Sequence, residues 1–136
     1  MPRKSDSWHK LIQVVAGVES SLGELLQTRH GLGLSEYRAL KMLAQSPNSE
    51  LRMQELAAHL RLNQSSVSRM AERLERSGLA VRDLCPDDKR GVYAVLTDKG
   101  RACVEEAQPQ YERALDAALK EHGGDKLLAA QALKAR

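Results

Sequence analysis

Residues 53–78 contain two short amphipathic segments separated by a tight turn, and they constrain the fold more than any other part of the chain. Apolar side chains recur at helical spacing in both segments. Asn63 is well placed to cap the second helix, and Gly78 follows it where a left-handed residue commonly ends a helix. Two short helices joined by about four residues form a helix-turn-helix.

Two segments directly after this motif, 79–84 and 92–96, are the only ones with clear strand character. The sequence between them, CPDDKRG, contains the proline, aspartates and glycine that are typical of turns. We therefore predict a β-hairpin in the position that the wing occupies in a winged helix. The predicted fold class is mainly α with this small β-hairpin wing.

The first helix is predicted over residues 8–29, where apolar residues are spaced by four, three, four and three positions. This stripe consists of Leu11, Val15, Val18, Leu22 and Leu25. Such heptad-like spacing fits a helix that packs against a second protein chain, and it equally fits a plain core helix.

Several boundaries of the other helices are also predicted from the sequence. Ser35 is expected to cap the second helix, and Thr97 is expected to cap a long helix after the hairpin. Pro109 is expected to kink or interrupt that long helix, because proline lacks the amide hydrogen. The glycines at 123 and 124 separate it from a final helix at 126–136.

Composition limits the class of protein. The chain has 136 residues, the size of one domain. Only 3% of the residues are aromatic and Phe is absent, so the core must consist of Leu, Val, Ala and Met, which favours packed helices. The net charge of +3 is a weak indication of an anionic partner.

Other classes find little support in the sequence. No segment resembles a signal peptide or a membrane span, so we expect a cytoplasmic protein without a membrane partner. Cys85 and Cys103 lack CxxC spacing and a neighbouring histidine, which predicts reduced thiols and neither a metal site nor a cofactor. The four histidines have no catalytic spacing and no nucleophile motif is present, so an enzyme is not expected.

The outward face of the second helix of the motif carries small polar residues, followed by arginines. Its candidate DNA-contacting residues are Gln64, Ser65, Ser66, Ser68, Arg69 and Arg73. Small side chains let a helix N-terminus approach the wall of the major groove, and Gln and Arg form bidentate contacts with base edges. Five basic and two acidic residues lie between Arg61 and Arg82. A solvated helix face is the alternative interpretation.

The predicted wing tip carries Lys89 and Arg90, which suit the DNA backbone or the minor groove. Asp88 is placed to pair with Arg90 and hold it extended. The alternative is a surface hairpin with mutually neutralising charges, since exposed ion pairs contribute little by themselves.

The stretches ELAAHLRLNQSSVSRMAERLERSGLAVR (55–82) and DDKRGVYAVLTDKG (87–100) resemble the MarR family of bacterial transcriptional regulators. The wing signature of that family is Asp-x-Arg followed by Leu-Thr-x-x-Gly. It is matched by Asp88, Arg90, Leu96, Thr97 and Gly100. Relatives often have Ser or Thr capping the first helix of the motif, whereas this chain has Arg52 and Met53 there.

The resemblance implies a winged-helix homodimer that binds a pseudo-palindromic operator in double-stranded DNA, usually as a repressor. Such regulators are often released from DNA by a small molecule or by thiol oxidation. It implies a single domain, 1–136, with dimerisation helices at 8–29 and 110–136. The DNA-binding winged-helix lobe would span 35–100, with its wing at 79–96.

The resemblance also implies roles for individual residues. The expected dimer contacts are Leu11, Val15, Val18, Leu22, Leu127 and Leu128. In the wing, Arg90 would enter the minor groove and Lys89 would contact a phosphate, with Asp88 in support. The candidate lining of a pocket for a small-molecule effector is Trp8, Val15, Tyr37 and Tyr111, all of which fit a core equally well.

Two other functions stay open. A winged helix can bind proteins instead of DNA, and reversing the charge of Arg69, Arg73 and Arg90 would discriminate between the two. A regulator that responds to thiol oxidation would use Cys85 or Cys103. The peroxide-sensing members of the family need a reactive cysteine near the N-terminal helices, and this chain has none there.

Overall fold

The computed structural model describes the backbone of residues 3–84 and 91–134, and the side chains of 3–83 and 91–129. Cys85 and the predicted wing-tip residues Asp88, Lys89 and Arg90 lie outside the described residues. The helices are α1 Lys4–His30, α2 Leu34–Gln45, α3 Met53–Leu60, α4 Gln64–Arg76, α5 Asp98–His122 and α6 Asp125–Lys134. The strands are β1 Glu50–Arg52, β2 Ala80–Leu84 and β3 Val92–Leu96.

The three strands form one antiparallel sheet in the order β1-β3-β2. Ala80 of β2 lies opposite Leu96 of β3, and Leu51 of β1 lies opposite Ala94 of β3. The predicted hairpin strands, and with them a mainly α fold with a small β-wing, are confirmed. The sequence did not predict β1, because three residues are too few to show the alternation that marks a strand.

The chain divides into two compact units. The terminal unit comprises the described residues up to Gly31 and from Gln108 onward, and the central unit comprises Leu32–Ala107. The central unit therefore contains α2, α3, α4 and the sheet. The terminal unit contains α1 and α6, and α5 begins in the central unit and ends in the terminal one.

The core of the central unit consists mainly of leucine, alanine, valine and methionine, as the composition predicts. Leu40 and Leu43 of α2 are completely buried, and Val67, Met70 and Leu74 of α4 are also buried. Removing one such side chain from water contributes about 1.5–3 kcal/mol. The buried face of α4 fixes the helix so that its opposite face points outward.

In the terminal unit, the end of α5 approaches α1 closely at a glycine. The ring of His122 lies over Gly17, where a Cβ atom would be 2.5 Å from the imidazole. At the end of α5, Gly123 has a φ of 80°, a left-handed conformation that suits glycine. The next residue, Gly124, donates a backbone hydrogen bond of 2.8 Å to the carbonyl oxygen of Leu119.

One predicted helix cap is wrong, and one predicted helix interruption is absent. Ser35 does not cap α2, because the helix already begins at Leu34 and Gly33 occupies the cap position in an extended conformation. Pro109 does not interrupt α5, which continues from Asp98 to His122, and the alternative, a kink at Pro109, stays a prediction. Proline leaves the carbonyl of Glu105 without its helical donor, and both residues lie on the exposed side of the helix, where water can hydrate such a group.

Candidate nucleic-acid interface

The start of α4 is fixed by the predicted cap. The side chain of Asn63 accepts a hydrogen bond of 2.8 Å from the backbone amide of Ser66. It also accepts one of 3.0 Å from the hydroxyl of Ser65. At the other end Gly78 adopts a left-handed conformation with a φ of 75°, as predicted. The helix therefore has defined ends, and its first turn contains no acidic residue.

The predicted DNA-contacting residues of α4 lie on its outer side. Gln64, Ser65, Arg69 and Arg73 are exposed, while Ser66 and Ser68 are half-buried at the edges of that face. Two of the arginines have contacts that influence where they point. Arg69 lies 3.5 Å from the hydroxyl of Ser66, and Nε of Arg73 donates to the carboxylate of Glu36 over 3.0 Å. DNA contact by these residues stays a prediction.

The end of α4 is tied to the start of α5 by Thr97, and we call this contact the Thr97 junction. The hydroxyl of Thr97 donates to the carbonyl oxygen of Gly78 over 2.7 Å and accepts from the amide of Gly100 over 3.0 Å. The second bond confirms Thr97 as the cap of α5. The amide of Thr97 donates to Leu79, and Lys99 donates to the carbonyl of Ser77. The Thr-x-x-Gly part of the signature therefore orients α4.

Gly100 is part of the same junction, and its lack of a side chain is required. A Cβ atom at this position would lie 2.0 Å from the carbonyl oxygen of Leu79. No flexible side chain is involved in that contact, so nothing can move aside cheaply. The glycine of the signature is explained by close backbone packing.

Arg52 is a basic residue next to α4 that was not among the predicted DNA contacts. It occupies the cap position of α3 without forming a side-chain cap, and its Nε donates to the hydroxyl of Tyr93 over 2.9 Å. A cavity of about 160 Å³ adjoins it, lined also by Gln54, Gln64 and Val92 among others. The sequence signal was an arginine immediately before the first helix of the motif.

A second surface of interest lies in the terminal unit. A groove of about 960 Å³ runs along α1 between Lys4 and Gly17 and is also lined by His122, Gly123 and Leu127. Of the four predicted effector-pocket residues, Trp8 lines this groove, but Val15, Tyr37 and Tyr111 do not. Tyr37 is only 1% exposed, so it is a core residue, which was the alternative interpretation.

Exposed apolar side chains cluster on α1 and α6 in the same unit. They are Trp8, Leu11, Ile12, Val15, Leu127 and Leu128. Four of these were predicted dimer contacts, whereas Ile12 was missed. The prediction is wrong for Val18 and Leu22, which are 7% and 1% exposed and are therefore already buried within the single chain. Along the stripe on α1, the side chains are exposed up to Val15, buried at Val18 and Leu22, and half-buried at Leu25.

Cys103 is half-buried on α5. Burial raises the pKa of its thiol, the nearby carboxylate of Glu106 raises the pKa further, and the ammonium group of Lys99 partly offsets both effects. A raised pKa disfavours the thiolate, which is the reactive form. This environment weighs against Cys103 as a redox switch.

Within the described part of the chain, no group of three or more His, Cys, Asp or Glu residues is arranged to hold a metal ion. No described helix is both long enough and apolar enough to cross a membrane.

Comparison with known proteins places these features in a family. The MarR family model matches residues 30–91. The regulator YkoM of Bacillus subtilis, named as an uncharacterized HTH-type transcriptional regulator, is 36% identical over 81 residues, which are 59% of this chain and 51% of YkoM. The homoprotocatechuate degradative operon repressor of Escherichia coli is 34% identical over 86 residues, which are 63% of this chain and 57% of the repressor. The chain thus spans little more than half the length of these relatives.

Solved structures agree over nearly the whole chain. The MarR family regulator Sco3205 from Streptomyces coelicolor, solved in complex with DNA, has a TM-score of 0.83 and 30% identity, covering 99% of this chain and 90% of that one. NadR, solved in complex with 4-hydroxyphenylacetate, has a TM-score of 0.71 and 28% identity, covering 99% and 96%. The chain belongs to the MarR family of transcriptional regulators.

Proposed function

We propose that the chain is a sequence-specific repressor that binds double-stranded DNA as a homodimer. The observation that carries this proposal is the outer face of α4. Its capped first turn exposes Gln64 and Ser65 and contains no acidic residue, so its backbone amides suit a phosphate. Arg69 and Arg73 follow on the same face and have the geometry for bidentate contact with guanine or phosphate.

Charge supports DNA as the partner. Five basic and two acidic residues lie between Arg61 and Arg82, so this segment carries a charge equal to the chain's entire net charge of +3. Basic side chains that neutralise phosphates release counterions, which makes binding favourable and dependent on salt. The similarity to Sco3205, a relative solved with DNA, supports the same partner.

The exposed apolar cluster of the terminal unit supports a second copy of the chain as the other partner. Trp8, Val15 and Leu127 are 62%, 47% and 53% exposed in the single chain. Several large apolar side chains exposed on one unit mark an interaction site more often than a single exposed one does. A dimer would present two copies of α4 to successive major grooves about 34 Å apart.

The proposal includes repression and release by a small molecule. It is supported by the name of the related homoprotocatechuate degradative operon repressor and by the 4-hydroxyphenylacetate bound to NadR. An effector that favours a different dimer geometry weakens DNA binding by about 1–3 kcal/mol. Adding 4-hydroxyphenylacetate and other aromatic carboxylates to the protein–DNA complex tests this part directly.

The DNA-binding part is tested with Arg69→Ala. The variant should bind its operator about tenfold to a hundredfold more weakly, because one bidentate contact is lost. Arg113→Ala is the matched control, since it removes the same charge from an exposed position of α5 that is not among the predicted dimer contacts. Fluorescence anisotropy with a labelled operator measures both affinities. Equal affinities for the two variants would favour the protein-binding alternative for this winged helix.

A further inference from the structure

An ion pair connects the outer face of α4 to the first turn of α2. Nε of Arg73 lies 3.0 Å from Oε1 of Glu36, and the two side chains are 49% and 14% exposed. The Glu36 carboxylate folds back over the start of its own helix, where a Cβ atom added to Gly33 would be 3.3 Å from the same oxygen. The acceptor is therefore largely buried, while the arginine remains half-exposed.

This contact leaves most of the arginine available. A guanidinium group has five N–H donors, and the bond to Glu36 uses the one on Nε. The four N–H groups on the two terminal nitrogens remain for a planar acceptor such as a guanine edge or a phosphate. Because Nε is held by Glu36, the plane of the fork is set before any DNA arrives.

Simple electrostatics does not favour a carboxylate such as Glu36 beside a DNA-binding face. Solvent around the half-exposed Arg73 screens the pair and lowers its contribution to stability. A carboxylate beside a DNA-binding face also repels phosphates and weakens binding. A role in orienting Arg73 explains why Glu36 lies at this position although its negative charge disfavours DNA binding.

We infer that Glu36 is a positioning residue that fixes the direction of Arg73 for contact with DNA. The inference rests on the proposed function, because it needs a DNA-binding α4. Holding the long arginine side chain in advance lowers the ordering cost that binding would otherwise carry. Sequence reasoning missed Glu36 because it lies 37 positions from Arg73 and the pairing leaves no local pattern.

A double-mutant cycle on the full chain tests the inference. The variants are Glu36→Ala, Glu36→Gln, Arg73→Ala and the double alanine variant, each titrated with an operator duplex and with a scrambled duplex. Arg73→Ala should lose about tenfold or more in affinity. Glu36→Ala should lose about twofold to tenfold. Glu36→Gln keeps an oxygen acceptor and should bind like the original chain.

The decisive comparison is made in the Arg73→Ala background. If Glu36 acts through Arg73, adding Glu36→Ala there should cause no further loss. A loss confined to the operator would assign Arg73 to a base edge, and an equal loss on both duplexes would assign it to a phosphate; both results support positioning. A loss of the same size without Arg73 would overturn the inference, because Glu36 would then act on folding.

Glu75→Ala is the matched control, since Glu75 forms the corresponding pair with Arg82. If only charge mattered, Glu36→Ala and Glu75→Ala would both bind DNA more tightly. If Glu36 positions Arg73, Glu36→Ala should bind DNA more weakly while Glu75→Ala binds it more tightly. Tighter binding by Glu36→Ala would overturn the inference. No operator preference in the unmodified chain would instead refute the proposed function. Normal operator binding by Arg73→Ala would refute the inference alone.

Discussion

Replacing Gly100 with alanine tests the Thr97 junction, which holds the end of α4 against the start of α5. An ideal Cβ atom at this position lies 2.0 Å from the carbonyl oxygen of Leu79, whereas real Cβ atoms essentially never come closer than 3.0 Å to another heavy atom. The two backbone segments must therefore separate by about 1 Å. The alanine variant cannot keep the junction as it is.

The expected cost follows from the contacts that this separation disturbs. The amide of Thr97 donates to Leu79 over 3.2 Å, and its hydroxyl donates to Gly78 over 2.7 Å. Each bond contributes about 0.5–1.5 kcal/mol, and the overpacking adds about 1–3 kcal/mol. The better helix propensity of alanine returns about 1 kcal/mol. Gly100→Ala should therefore lower the free energy of unfolding by about 3 kcal/mol.

Urea unfolding followed by circular dichroism measures this change, with all proteins at the same concentration. Gly23→Ala is the matched control, because a Cβ atom added at that position of α1 meets nothing within 4 Å beyond its own stretch of helix. The control should gain about 0.5–1 kcal/mol from helix propensity. If Gly100→Ala unfolded at the same urea concentration as the unmodified chain, the rigid junction would be refuted.

Three further predictions follow from single contacts. Asn63→Ala should lower the free energy of unfolding by about 1 kcal/mol, because the cap on Ser66 is lost; unchanged urea unfolding would contradict this. The pKa of Cys103 is raised in the folded chain. The free energy of unfolding should therefore keep its full value below the thiol's ordinary pKa of 9.0 and fall as pH rises through the folded pKa. Cys103→Ser should abolish that alkaline loss in a pH series of urea unfolding, and a persistent loss would refute the assignment. Val15→Glu should give monomers in sedimentation velocity, unlike Ser20→Glu on an exposed polar position, because a charge would be buried in the dimer.

Local signals explain why much of the fold could be predicted. Asn63 caps α4 and Gly78 ends it, and both depend only on neighbouring residues. The same holds for Thr97, whose hydroxyl accepts from the amide three residues later. The hairpin strands could also be predicted, because their side chains show the two-residue period of a strand. Such features depend only on residues that are close together in the chain, so they can be predicted from the sequence alone.

The features that escaped prediction depend on distant partners. Strand β1 is only three residues long and exists because it pairs with β3 more than forty positions away. The burial of Val18 and Leu22 distinguishes two halves of a stripe that looks uniform in sequence. Glu36 likewise becomes a candidate functional residue only through its ion pair with Arg73. Periodicity identifies an apolar face but does not say which part of it the chain itself covers.

The central claim is that α4 reads a specific DNA sequence as part of a dimer. The most direct test is selection of binding sites from a pool of random duplexes, followed by titration of the selected and scrambled duplexes over a salt series. We expect an inverted repeat with half-sites about 10 base pairs apart, bound far more tightly than the scrambled duplex and with a steep salt dependence. Selection that enriches no sequence, with equal weak binding to both duplexes, would contradict it.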